Sequence, residues 1–255
     1  YFGTKNYGIN GAVVSLLIFQ VSNVLVNYYL INKKIKSILL ENENLAVNIK
    51  FSELIKEVLP IGFQEGVYSI FNWLTSIIII RLSSTSEFGV YNAALQWSAI
   101  VLFIPGSLRS VILAHFSINE NSNDKQRMIK NVMTLNLVVV LIPAILVSIF
   151  SNQIEYYYGL SYKGLGLLIV ISMVLSAQMS ISNIYSQLFM SEKLNWQMFF
   201  MRLLKEMILI SLLFALFNFP GIKIRGSLLI LITSIISNML LLFGTVFYYS
   251  RRLGN

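Results

Sequence analysis

Glu65, Ser69, Asn72 and Ser76 follow one another at intervals of four, three and four residues, so in a helix they share one face. The segment that carries them, residues 58–80, is otherwise rich in Ile, Val, Phe and Leu. A carboxylate and an amide inside such a run are costly in hydrocarbon, and they mark a face turned to a water-filled cavity or to another helix. The next apolar run, residues 88–113, carries Tyr91, Asn92 and Gln96, then a Pro105-Gly106 break, then Arg109. These groups offer amide and hydroxyl contacts to a polar cargo, a carboxylate whose pKa burial would raise, and a guanidinium suited to multi-donor phosphate contact. Such chemistry belongs to binding and transport. Catalysis has little to draw on, because the chain has no cysteine and one histidine, His115. It therefore has no thiol nucleophile, no thiolate or histidine metal cluster and no histidine-based relay. No cofactor is implied, and the chain reads as something other than an enzyme.

The elements that must position these groups follow from composition. Of the 255 residues, 56% are hydrophobic and only 12% charged, half the share of an ordinary soluble domain. With a mean hydropathy of +0.71, the expected solvent is lipid. Seven stretches are long enough to cross a bilayer, for which ~20 mostly apolar residues suffice: 9–31, 58–80, 88–113, 132–150, 165–189, 198–217 and 227–249. The predicted fold is an all-α, polytopic transmembrane helix bundle. Residues 1–31 hold one helix, 32–57 a charged connector, and 58–255 six further helices. Within the connector, Ser52 can cap a helix whose apolar side (Phe51, Leu54, Ile55, Val58) would lie along the membrane surface. In 165–189, Ser172, Ser176, Ser180, Asn183 and Gln187 form a second polar face, with the serines read as packing residues. The spans 132–150 and 198–217 are read as lipid-facing or packing helices. The chain opens on Tyr1 without a signal-peptide pattern and is read as a fragment of a longer protein.

Lysine and arginine set the expected orientation. With 32–57 in the cytoplasm, fourteen of the nineteen basic residues fall on that side, among them Lys33, Lys34, Arg109, Arg127, Arg202, Lys205 and Arg251. Five, among them Arg81 and Arg225, fall on the other, as the positive-inside rule requires. The net charge of +8 is then mostly topology and attraction to anionic lipid. Nucleic acid is not an expected partner, since no basic run is interleaved with aromatics.

A family resemblance enters through four features. Pro60 opens a helix, Glu87-Phe88-Gly89-Val90-Tyr91 turns into the next, Pro105 lies late in that one, and Tyr7-Gly8-Ile9-Asn10-Gly11-Ala12 begins the first. With seven spans and a long connector, the chain resembles the polysaccharide and O-antigen repeat-unit flippases of the multidrug/oligosaccharidyl-lipid/polysaccharide exporter superfamily. The resemblance implies a C-terminal six-helix lobe plus one preceding helix of a two-lobed exporter, in the bacterial cytoplasmic membrane. It implies as cargo an oligosaccharide on undecaprenyl pyrophosphate, carried from the inner to the outer leaflet for O-antigen or capsule assembly. Membrane lipids, a polysaccharide polymerase and chain-length machinery are the implied partners. The alternative within the superfamily is a MATE-type drug or cation antiporter. The resemblance also implies an acid near Thr75 and Ser76, where this chain has none; Glu65 lies nearer the cytoplasmic end.

For such a cargo the cavity candidates are Glu65, Asn72, Tyr91, Asn92, Gln96, Arg109, Asn183 and Gln187. Arg202 and Lys205, near the cytoplasmic end of their helix, are candidate headgroup contacts, the alternative being interfacial anchoring. Glu65 is expected to pair with Arg109 across adjacent antiparallel helices.

Overall fold

The structure, a computed structural model, describes residues 2–41, 51–118, 122–217 and 226–253. Apart from short turns and a 3-10 segment at Leu160–Tyr162, the described residues are α-helical and include no strand. They divide into two compact units, Tyr1–Phe51 and Ser52–Asn255.

The described residues of the first unit, up to residue 41, form the helix α1 (Phe2–Glu41), interrupted at Gly8, whose φ of 58° and ψ of −140° suit a residue without Cβ. Its segment Val13–Leu30 is apolar enough to cross a membrane, and its side chains there are exposed. The helix does not stop at residue 31 but runs on to Glu41. The Lys33-Lys34-Ile35-Lys36 stretch favours helix, since lysine and isoleucine carry no breaking tendency. The rest of the expected connector up to residue 50 lies outside the described residues.

The second unit begins one residue into α2 (Phe51–Leu82), which is 32 residues long. The expected surface segment and the span 58–80 are therefore one helix, ~48 Å from end to end at 1.5 Å per residue. Pro60 lies inside it and does not open it. The span expected over 88–113 is bent into three pieces, α3 (Thr85–Val101), α4 (Phe103–Ser107) and α5 (Arg109–Ile118). Pro105 has no N–H to donate back to the preceding turn, which is the ordinary cause of such bends. Main-chain bonds nevertheless carry through, from Leu102 N–H to Ser98 O at 3.0 Å and from Ile112 N–H to Leu108 O at 2.9 Å. Then follow α6 (Ser122–Ile149), with Pro143 inside, and a short α7 (Ser151–Tyr158). The chain ends in α8 (Leu165–Ser191), α9 (Asn195–Phe217) and α10 (Gly226–Leu253).

Among the described residues, four helical stretches are long and apolar enough to cross a membrane: that in α1, Gln126–Ile149, Leu165–Ser191 and Gly226–Arg251. In α9, Arg202, Lys205 and Glu206 interrupt the apolar run, and α2 is interrupted by Gln64, Glu65 and Asn72.

α8 is the axis of the unit, packed against α3, α5, α6 and α10. One end sits in an apolar cluster with Leu165, Ile169 and Met173, joined by Ala94 of α3, Val140 of α6 and Leu231 of α10. The other end contributes Ile184, Leu188 and Phe189 to a second cluster with Phe116, Met198 and Tyr249. Between them α8 buries Ser176, Gln178 and Ser180. The serines bring helices close: Ser176 Oγ lies 2.5 Å from Ser98 Oγ, and Ser172 Oγ donates to Ala94 O at 3.3 Å. Small side chains here let the α3 and α8 backbones approach. Ser176→Ala keeps that spacing and loses one interhelical bond, so it should cost about 0.6 kcal/mol. A thermal denaturation midpoint in detergent would register it; a loss of several kilocalories would mean the hydroxyl holds more than this contact.

The ends of the bundle are fastened by carboxylates on helix N-termini. Ser84 caps α3 by accepting from Glu87 N–H at 3.1 Å, the short Ser-x-x-Glu pattern. Glu87 in turn accepts from the N–H and hydroxyl of Ser227, in the first turn of α10. Glu155 of α7 accepts from Gly164 N–H at 2.8 Å and Gly166 N–H at 2.7 Å, where α8 begins. The Glu-Phe-Gly-Val-Tyr segment is thus the first turns of α3, and its acid ties two helices together.

Candidate functional site

The turn between α8 and α9 builds one wall of a polar cavity. Two residues past the end of α8, Lys193 lies in the left-handed region, φ 59°. Lys193 N–H bonds Met190 O at 3.1 Å and Leu194 N–H bonds Phe189 O at 2.8 Å, the paired closure of a Schellman motif. This tight return starts α9 at Asn195, whose side-chain amide donates to Glu57 O of α2 at 3.2 Å. Gln64 Nε2 donates back to Asn195 O at 3.2 Å, and Lys193 Nζ pairs with Glu57 at 2.9 Å. The beginning of α9 is therefore tied to α2. Two and three turns further on, the same face of α9 presents Arg202 and Glu206.

Between these helices lies a cavity of about 190 Å³. α2 contributes Gln64, Glu65 and Tyr68; α5 contributes Arg109; α8 contributes Ser182, Asn183 and Ser186. α9 adds Arg202, Lys205 and Glu206, and α10 adds Asn238. Three cations face two carboxylates, an excess of one positive charge. Arg202 donates to Ser186 Oγ at 3.2 Å and lies 3.7 Å from Glu65 Oε1. Lys205 Nζ lies 2.5 Å from Glu206 Oε1, with only 14% and 9% of the two side chains exposed. Arg109 forms no ion pair among the described residues.

Of the residues singled out from sequence, the fold thus brings Glu65, Arg109, Asn183, Arg202 and Lys205 around one space. It does not bring the others there. Tyr91 is buried in the apolar cluster beside α8. Gln187 is buried outside the cavity, Asn92 is half-buried and Gln96 exposed on α3, and Asn72 is exposed on α2. The face Glu65-Ser69-Asn72-Ser76 contributes only its first member, since the lining of α2 extends from Gln64 to Tyr68.

Two expectations are corrected. Glu65 pairs with Arg202 and not with Arg109, because the α8–α9 return brings α9 beside this part of α2. α9 is not a plain lipid-facing or packing helix, since its Arg202-Lys205-Glu206 face lines the cavity. Glu206, Gln64, Tyr68 and Ser186 were missed. Glu206 had a signal: an acid one turn past an arginine in an otherwise apolar helix is the pattern that marks a polar interior.

Fold and cavity define the class first: an all-helical membrane protein with an ionisable pocket between its helices. Comparison with known families finds no matching family, and comparison with curated proteins finds no match either. Among solved structures, the chain superposes on a MATE transporter, seen in the crystal structure of a proline-to-alanine mutant. The TM-score is 0.73 over 98% of this chain, at 14% sequence identity. The chain spans 57% of that transporter's length. The likeness is one of fold.

Proposed function

We propose that the chain is the C-terminal part of a membrane exporter whose cargo carries an anionic headgroup, a lipid-linked oligosaccharide in the first reading. The observation that carries this reading is the positive excess of the cavity, with Arg109 unpaired among the described residues. A diphosphate must be stripped of water to cross a ~30 Å hydrocarbon layer, and only fixed cations and donors replace that hydration. Arginine is better suited to this than lysine, because its planar fork meets two phosphate oxygens at once.

A second reading stands beside it, a MATE-type drug or cation antiporter, and the fold likeness favours it. On fold alone it leads. Glu65 and Glu206 would be its cation-binding groups. Against it stands the charge: each carboxylate already has a basic partner, and an organic cation would meet a net positive pocket.

The test uses the full-length gene in its host. Deletion should abolish surface polysaccharide and leave lipid-linked repeat units on the inner leaflet, with cationic-dye efflux unchanged. An Arg109→Gln allele should restore no more than about a tenth of the polymer, the loss expected for one charged hydrogen-bond partner. Normal polysaccharide with lost dye efflux would discard the flippase reading in favour of the antiporter.

A further inference from the structure

The inference concerns Glu65 and rests on the anionic-cargo reading above. The three cations of the cavity are held in three different ways. Lys205 is locked, since its 2.5 Å pair with Glu206 is almost wholly out of water. Arg109 has no ion pair among the described residues. Arg202 lies between these cases. One terminal nitrogen is anchored on Ser186 Oγ at 3.2 Å, and the other faces Glu65 at 3.7 Å, too far for a hydrogen bond. Its side chain is 25% exposed, whereas that of Glu65 is 69% exposed. The guanidinium is set in the wall, and the carboxylate reaches it loosely from solvent.

We propose that Glu65 is a displaceable counter-ion, which occupies Arg202 in the empty cavity and yields it to a phosphate or diphosphate headgroup arriving on Arg109. A long, solvent-facing pair contributes little. Charge-assisted bonds from arginine to phosphate form at about 2.7–2.9 Å and are often bidentate, so a multiply charged headgroup gains more from Arg202 than Glu65 loses. Glu65 regains water when released, at small cost. A neutral lipid gains nothing that offsets breaking the pair, and a weak monoanion gains less. Glu65 thereby sets a threshold of anionic charge for occupancy, a repulsive element that sharpens selectivity.

The experiment measures binding to the full-length protein in nanodiscs, with geranylgeranyl diphosphate, inorganic pyrophosphate and geranylgeraniol as probes. Glu65→Gln should tighten diphosphate binding roughly two- to fivefold, the scale of one partly exposed ion pair. Glu65→Asp should not tighten it. Arg202→Gln should weaken it about tenfold or more, and adding Glu65→Gln to Arg202→Gln should bring no further tightening. Tightening for the lipid diphosphate alone assigns the site to a lipid headgroup; tightening for pyrophosphate as well assigns it to free anions too. Either supports the exchange. Unchanged or weaker binding by Glu65→Gln, with Arg109→Gln and Arg202→Gln both impaired, overturns the role of Glu65 and leaves anionic cargo standing. If the diphosphate binds no better than the alcohol and neither arginine variant matters, anionic cargo itself fails.

Discussion

Glu206→Leu is expected to destabilise the protein by about 3–5 kcal/mol, the penalty for removing one partner of a buried ion pair. Lys205 and Glu206 are neighbours in sequence, so their side chains leave α9 about 100° apart, yet their charged ends meet at 2.5 Å. They are driven together because neither has much water to turn to, at 14% and 9% exposure. Without the carboxylate, the ammonium stays in a pocket that already holds Arg109 and Arg202. The double variant Lys205→Met with Glu206→Leu should recover most of the loss, since a well-packed apolar pair often replaces a buried ion pair at little cost. Thermal denaturation of the purified variants in detergent would check both. A single variant as stable as the parent would mean that Lys205 reaches water by extending its stem.

Gly166→Ala is expected to cost about 1–3 kcal/mol, the usual penalty for overpacking. A Cβ there would lie 3.0 Å from Glu155 Oε2, 3.1 Å from Asn152 Oδ1 and 3.2 Å from Ser151 O. One of these is backbone and cannot swing aside. A second is the carboxylate that accepts from Gly164 and Gly166 N–H, so moving it also loosens the start of α8. Because α8 carries the packing of four other helices, the effect should spread beyond α7. Gly89→Ala is the matched control. Nothing lies within 4 Å of a Cβ there, and alanine in helix is favoured over glycine by up to about 1 kcal/mol. If both variants melt together, the close approach of α7 to α8 is not what holds that end.

The cavity also explains why some helices of this bundle are polar. α6, α8 and α10 meet the plain test of length and hydropathy, whereas α9 breaks its apolar run with three ionisable groups that line the cavity. A helix that borders both lipid and a wet pocket must satisfy two solvents on opposite sides. Its average composition describes neither.

Much was legible before any coordinates. Low charge over the whole length and runs of about twenty apolar residues are enough to demand helices in lipid, because a chain without water must satisfy its backbone internally. The apolar lengths of α8, α9 and α10 follow from that alone, whereas α6 begins at Ser122, ten residues before its expected span, and the cap of Ser84 on α3 emerged only from the structure. Periodicity also places Glu65, Asn183 and Arg202 on definite faces of their own helices. It says nothing of which helix each face meets. The stripe on α8 shows the consequence: Ser172 and Ser176 close on α3, while Asn183 opens on the cavity, though all three obey the same spacing. Glu65 had two arginines within plausible reach, and only the return at Lys193, which fastens Asn195 to α2, made Arg202 its partner. Spacing along a chain fixes an angle about one helix axis; contact requires the rotation and position of a second axis as well, and those are set by how all the helices pack together.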